Sequence, residues 1–135
     1  MIAGQGKEER MKVLIIDDDA RIRELIRMWL VREGLEVFEA ENGRKGVEAH
    51  RSCPVELVIC DLIMPVQEGI ETISQFREEF PEVNIIAISG GGKIGSASYL
   101  AVAEQLGAWK VFTKPLDMPS LIQAIRDWRL SKNSD

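Results

Sequence analysis

Five side chains have the types and the placement to act together: Asp17, Asp18, Asp61, Ser89 and Lys114. Each stands at or just beyond the end of an apolar run. Val55 to Cys60 reads as a buried strand, so the acid that follows it, Asp61, must sit at the rim of a sheet. A lone carboxylate leaving water is costly unless a cation or partner meets it. Asp17 and Asp18 follow the run Lys12 to Ile16 in the same way, Ser89 ends the run from Asn84, and Lys114 follows Val111 and Phe112. Three carboxylates in one crevice repel each other unless a divalent cation screens them, and hard oxygen ligands with room for water suit Mg²⁺. Lys114 adds a point charge and Ser89 a hydroxyl donor, both aimed where an anion with several oxygens would lie. A phosphoryl group fits that description, with Asp61 as the candidate nucleophile and an aspartyl phosphate as the product.

The elements that must position these residues follow from periodicity. After the first strand, Ile22, Leu25, Ile26 and Trp29 recur at helical spacing, Asp19 is placed to cap that helix, and Gly34 closes it. Glu36 to Ala40 mixes charge with Val37 and Phe38, as an edge strand does, and Asn42-Gly43 marks a turn. A weaker helix covers Arg44 to Ser52, where His50 shares a face with Val47 and reads as a packed residue rather than a ligand. Gly69 opens a helix bearing Ile70, Ile73, Phe76 and Phe80, which Pro81 ends. Gly90 to Ala97 is glycine-rich but has Ile94 where a phosphate-binding loop needs Ser or Thr, so it is expected to be a mobile connection. A helix with Tyr99, Val102, Ala103 and Leu106 follows, and Asp117 caps a last helix that buries Met118, Leu121, Ile122 and Ile125. Five strands alternating with five helices predict an α/β fold, a doubly wound parallel sheet in the order 2-1-3-4-5. Such sheets bind ligands outside the carboxyl ends of their strands, where the five residues lie.

A chain of 135 residues, 45% hydrophobic and 29% charged, fits one domain with a single core. We expect a flexible tail over residues 1–10, the folded unit over 11–131 and a short tail over 132–135, with nothing after Lys132 able to fold by itself. A net charge of -5 argues against a nucleic-acid surface. The first ten residues form neither a signal peptide nor a membrane span, so the expected location is cytoplasmic, with no membrane contact. Cys53 and Cys60 are not in a C-x-x-C pair and are expected to be reduced thiols.

The stretches VLIIDDDARIREL, VELVICDLIMPVQEG, IIAISG and VFTKPLD, in this order and spacing, resemble the receiver domains of two-component response regulators. The resemblance implies a flavodoxin-like fold and a phosphoacceptor, Asp61, that takes its phosphoryl group from a histidine kinase or a histidine phosphotransfer protein. It implies that Asp18, Asp61 and the backbone carbonyl of Ile63 bind Mg²⁺ directly and that Asp17 does so largely through water. It further implies that Ser89 senses the phosphoryl group, that Lys114 pairs with one of its oxygens and that the Lys114-Pro115 bond is cis. On this reading the chain is a signalling switch that catalyses only its own phosphorylation and dephosphorylation. It would act on a downstream protein partner or a missing output domain. Two features depart from the family's usual pattern. Val111 occupies the position of an aromatic switch residue, with Phe112 facing the other way, and the interval from Ser89 to Gly107 is longer than usual. Ile63 has no hydrogen-bonding side chain to hold an attacking water, so slow self-hydrolysis is expected.

Two rivals remain at this level. The D-x-D spacing of Asp17 and Asp19 would suit a haloacid dehalogenase-like phosphatase with Asp17 as nucleophile and Asp19 as its acid/base partner. A flavin-binding module fits less well, because three acids stand where an FMN phosphate needs donors.

Overall fold

The computed structural model describes residues 10–62, 69–89, 101 and 104–133. Its elements run β1 (Lys12–Ile16), α1 (Ala20–Arg32), β2 (Glu36–Ala40), α2 (Gly43–Ser52), β3 (Leu57–Asp61), α3 (Gly69–Glu79), β4 (Asn84–Ser89), β5 (Lys110–Thr113) and α4 (Met118–Asn133). All strand pairings are parallel and the order is β2-β1-β3-β4-β5, as expected. The fold is therefore the doubly wound, flavodoxin-like one. The register places Ile16 beside Cys60 and Asp61 beside Ile88, so the ends of β1, β3 and β4 form one edge.

Side chains alternate between two cores, one on each face of the sheet. Val13, Ile15, Leu57, Ile59 and Ile88 pack with Ile26 and Leu30 of α1 and with Leu121 and Ile125 of α4. Leu14, Ile16, Val58, Cys60 and Ala87 pack with Val47 of α2 and with Ile73 and Phe76 of α3. Complete burial of these strands explains why they read as continuous apolar runs rather than alternating ones. Phe112 lies against the first core and Val111 against the second, so the two residues do face opposite ways.

Local chemistry sets the helix ends. Asp19 caps α1 by accepting the Arg21 N–H at 2.9 Å. Gly34, at φ 85°, lets the chain leave the helix while the Leu35 N–H returns to the Leu30 carbonyl. Asn42 is not merely a turn residue. Its side chain accepts the Lys45 N–H at 2.9 Å, so it caps α2, and Gly43 is already helical. α4 runs through Asn133, past the expected tail boundary at 131, and the Ser131 hydroxyl bonds the Trp128 carbonyl within its last turn. The expected helix around Tyr99, Val102 and Ala103 falls largely outside the described residues. Among those described, no helix is long and apolar enough to cross a membrane.

His50 is a packed residue. It is 6% exposed, its Nδ1 accepts the Val55 N–H at 3.1 Å, and its ring meets the rings of Phe76 and Phe80 edge-on. Cys53 and Cys60 are both free thiols. Cys60 is fully buried and its Sγ donates to the Asp61 carbonyl. Burial, with the Asp61 and Asp17 charges, pushes this thiol's pKa far up, so the thiolate is not formed.

Candidate functional site

The carboxyl ends of β1, β3 and β5 bring Asp17, Asp18, Asp61 and Lys114 to one crevice. One oxygen from each of Asp17, Asp18 and Asp61 lies within 4.8 Å of the others. Asp17 and Asp61 are buried, while Asp18 is exposed. The Lys114 ammonium reaches over both buried acids, 3.2 Å from Asp17 Oδ2 and 3.7 Å from Asp61 Oδ1. Ser89 is fully buried at the end of β4, and its carbonyl accepts the Lys114 N–H at 2.8 Å, which ties that lysine's backbone to the same rim. The Lys114-Pro115 bond is cis, as the resemblance implied.

Each group's ionisation reflects its surroundings. Burial raises the Asp17 pKa despite the opposing Asp19 N–H and the Lys114 charge. Burial also works against the Lys114 charge, but Asp61 and Asp17 outweigh it and the net shift is upward, so the ammonium persists. Asp19 is held below the usual carboxylate range by the Arg21 N–H that it caps. Asp19 thus acts on the helix, and its own N–H supports the site by donating to Asp17 Oδ1 at 2.9 Å.

Three carboxylates with one lysine leave an excess of negative charge confined to a few ångströms. Hard oxygens from separate strand ends, one of them open to water, suit an octahedral divalent ion that keeps part of its hydration shell. The residues present therefore fit Mg²⁺. The Ile63 carbonyl and the Gly90 to Ala97 segment lie outside the described residues.

Two further contributors escaped the reading of the sequence. Arg23 Nη1 donates to the Asp17 carbonyl at 2.7 Å, while its Nε bonds Glu39 on β2 at 3.0 Å. One turn into α1, Arg23 looks like any exposed helix arginine; only its place five residues after Asp18 hints at a return to the loop. Gly69 does more than open α3. A Cβ there would collide with the Asp61 carbonyl and the Leu62 backbone, and the Gly69 N–H donates to the Leu62 carbonyl at 2.8 Å. The start of α3 is thus pressed onto the end of β3, an approach that only glycine permits.

Comparison with known proteins agrees with this geometry. The family model described as the response regulator receiver domain matches residues 13–126. A chemotaxis protein CheY from Halobacterium salinarum is 35% identical over 116 residues, covering 86% of this chain and 94% of that protein. The Escherichia coli transcriptional regulatory protein GlrR is 33% identical over 115 residues, covering 85% of this chain but 25% of its own length. Among solved structures, a response regulator receiver domain protein from Clostridium thermocellum superposes with a TM-score of 0.79 at 26% identity, covering 87% of this chain and 92% of that one. Nothing here supports the phosphatase alternative built on Asp17 and Asp19, and Asp19 is engaged as a helix cap.

Proposed function

Because the chain belongs to the response regulator receiver family, we propose that it is a phosphorylation-operated switch whose Asp61 accepts a phosphoryl group from a histidine kinase or a histidine phosphotransfer protein. The observation that carries this reading is the Lys114 ammonium 3.7 Å from Asp61 Oδ1, at the mouth of a three-carboxylate cluster. Asp18 and Asp61, with the Ile63 carbonyl, would hold Mg²⁺ directly and Asp17 through water. Bound Mg²⁺ would neutralise charge on the phosphoryl oxygens.

The protein's own groups do the rest. An Asp61 oxygen bonds to phosphorus as the bond from phosphorus to the donor's histidine nitrogen breaks, and the nitrogen recovers a proton from solvent. Lys114 pairs with a phosphoryl oxygen as that group arrives, and the Ser89 hydroxyl donates to another. Asp17 keeps Lys114 charged and in place.

Output runs through a protein surface. One kind of relative is matched over nearly its whole length and another over a quarter of it, which supports either a stand-alone switch or the input part of a larger regulator. The test is incubation with acetyl phosphate and Mg²⁺ followed by intact-mass measurement. One base-labile phosphoryl group should be added, none should appear on Asp61→Asn, and equal labelling of that variant would refute the assignment.

A further inference from the structure

We infer that Arg23, anchored by Glu39, is a positioning residue for the acidic crevice: it aims the peptide between Asp17 and Asp18, and through it the Asp18 carboxylate, at the metal position. The inference rests on the phosphoacceptor reading above and assigns a role to residues outside its ligand set.

Asp18 is an exposed residue between β1 and α1, so neither a strand ladder nor a helix ladder fixes its direction. A peptide unit is rigid and planar, so a bond that holds its carbonyl also orients the N–H and the Cα on its far side. Arg23 provides such a bond at 2.7 Å to the Asp17 carbonyl. On the near side, the Asp17 N–H is held by the Ala40 carbonyl at 3.2 Å. Asp17 is thereby gripped at both backbone ends, and rotation toward Asp18 is confined.

The arginine itself is fixed. Its side chain is only 16% exposed, and Glu39 takes its Nε at 3.0 Å on one carboxylate oxygen while Arg27 takes the other oxygen at 2.9 Å. A guanidinium can hold the Asp17 carbonyl and Glu39 at once because its donors form a planar fork, which an ammonium lacks. Glu39 is shared with Arg27, so the three groups keep one net positive charge, and the role of direction is separated from that of charge by a variant that keeps the charge and loses the fork.

The full chain and the Arg23→Gln, Arg23→Lys and Glu39→Gln variants are titrated with Mg²⁺ by calorimetry, after circular dichroism has verified that each metal-free variant is folded. Loss of groups that orient metal ligands typically weakens binding roughly 10- to 100-fold. Both Arg23 variants should lose at least about tenfold, and Glu39→Gln should weaken binding in the same direction because the anchor is gone. Parent-like affinity in Arg23→Lys would overturn the inference, since charge would then suffice; so would parent-like affinity in Arg23→Gln. A second readout needs no metal: the three-bond HN–Hα coupling of Asp18 should report one backbone angle in the parent and an averaged one in Arg23→Gln. If the parent binds no Mg²⁺, the phosphoacceptor reading fails, and the coupling alone decides whether Arg23 positions Asp18. An unchanged coupling would refute that role.

Discussion

Lys114 sits closer to Asp17 than to Asp61, 3.2 Å against 3.7 Å, so its ammonium is shared between the proposed phosphoacceptor and a second buried acid. Asp17 thereby helps to hold the lysine beside Asp61. The arrangement also stores repulsion, because two buried carboxylates and a third exposed one bring oxygens within 4.8 Å of one another beside Lys114.

Relieving that repulsion should stabilise the metal-free protein. Burial raises the Asp17 pKa, which means that its charged form costs folding free energy at neutral pH. Asp17→Asn should raise the metal-free Tm by about 2–5 °C, equivalent to a gain on the order of 1 kcal/mol, and should reduce the further rise that Mg²⁺ produces. Calorimetry with and without Mg²⁺ checks both; a lower metal-free Tm contradicts the argument.

Removing the lysine should have the opposite sign. Lys114→Gln leaves the acids uncompensated, so the metal-free Tm should fall and Mg²⁺ should restore more stability than it adds to the parent. Acetyl phosphate labelling of Asp61 should slow as well. Equal Mg²⁺-induced shifts in variant and parent would show that Lys114 does not balance the cluster.

His50 makes stability depend on pH. Its buried ring has a lowered pKa, and its Nδ1 must remain an acceptor for the Val55 N–H. The unfolded chain therefore takes up this proton first as pH falls below about 6.5, and stability declines from there toward the lower folded pKa. Urea unfolding between pH 7.5 and 5.5 should show that decline, and His50→Gln should flatten it. An unchanged slope in the variant would assign the dependence to other groups.

Two glycine substitutions separate backbone freedom from close approach. Gly69→Ala drives a methyl into the Asp61 carbonyl and the Leu62 backbone, so it should cost about 2 kcal/mol or more and slow labelling by displacing the proposed phosphoacceptor. Gly34→Ala meets no atom within 4 Å but keeps a φ of 85°, so it should cost about 1 kcal/mol and leave labelling unchanged. Denaturation and labelling rates on both variants decide the matter.

The strands and the acids at their ends were legible because complete burial writes itself as an apolar run and the first charge after it marks where the run leaves the core. The order of the strands followed from connection rules rather than from any one residue. Arg23, Glu39 and the tight seat of Gly69 were not legible, since each depends on a contact between elements that no spacing along the chain encodes. Asn42 was half visible: an Asn-Gly pair signals a turn, but whether the Asn side chain caps a helix depends on where the next N–H groups point. The last turn of α4 was not legible either: the helix continues past residue 131 through Asn133 on backbone bonds that need no apolar partner.

β5 forms one border of the sheet, and only four residues of it, Lys110 to Thr113, lie in the ladder. Both ends of that short border resist annealing to another copy. Lys110 is exposed and its ammonium leans over the Trp109 ring at 5.6 Å, which places a positive charge where a second strand would begin to pair. Pro115 follows closely after the other end and has no N–H to extend the ladder. The β5 border is thus blunted against strand-to-strand pairing with a second copy of the chain.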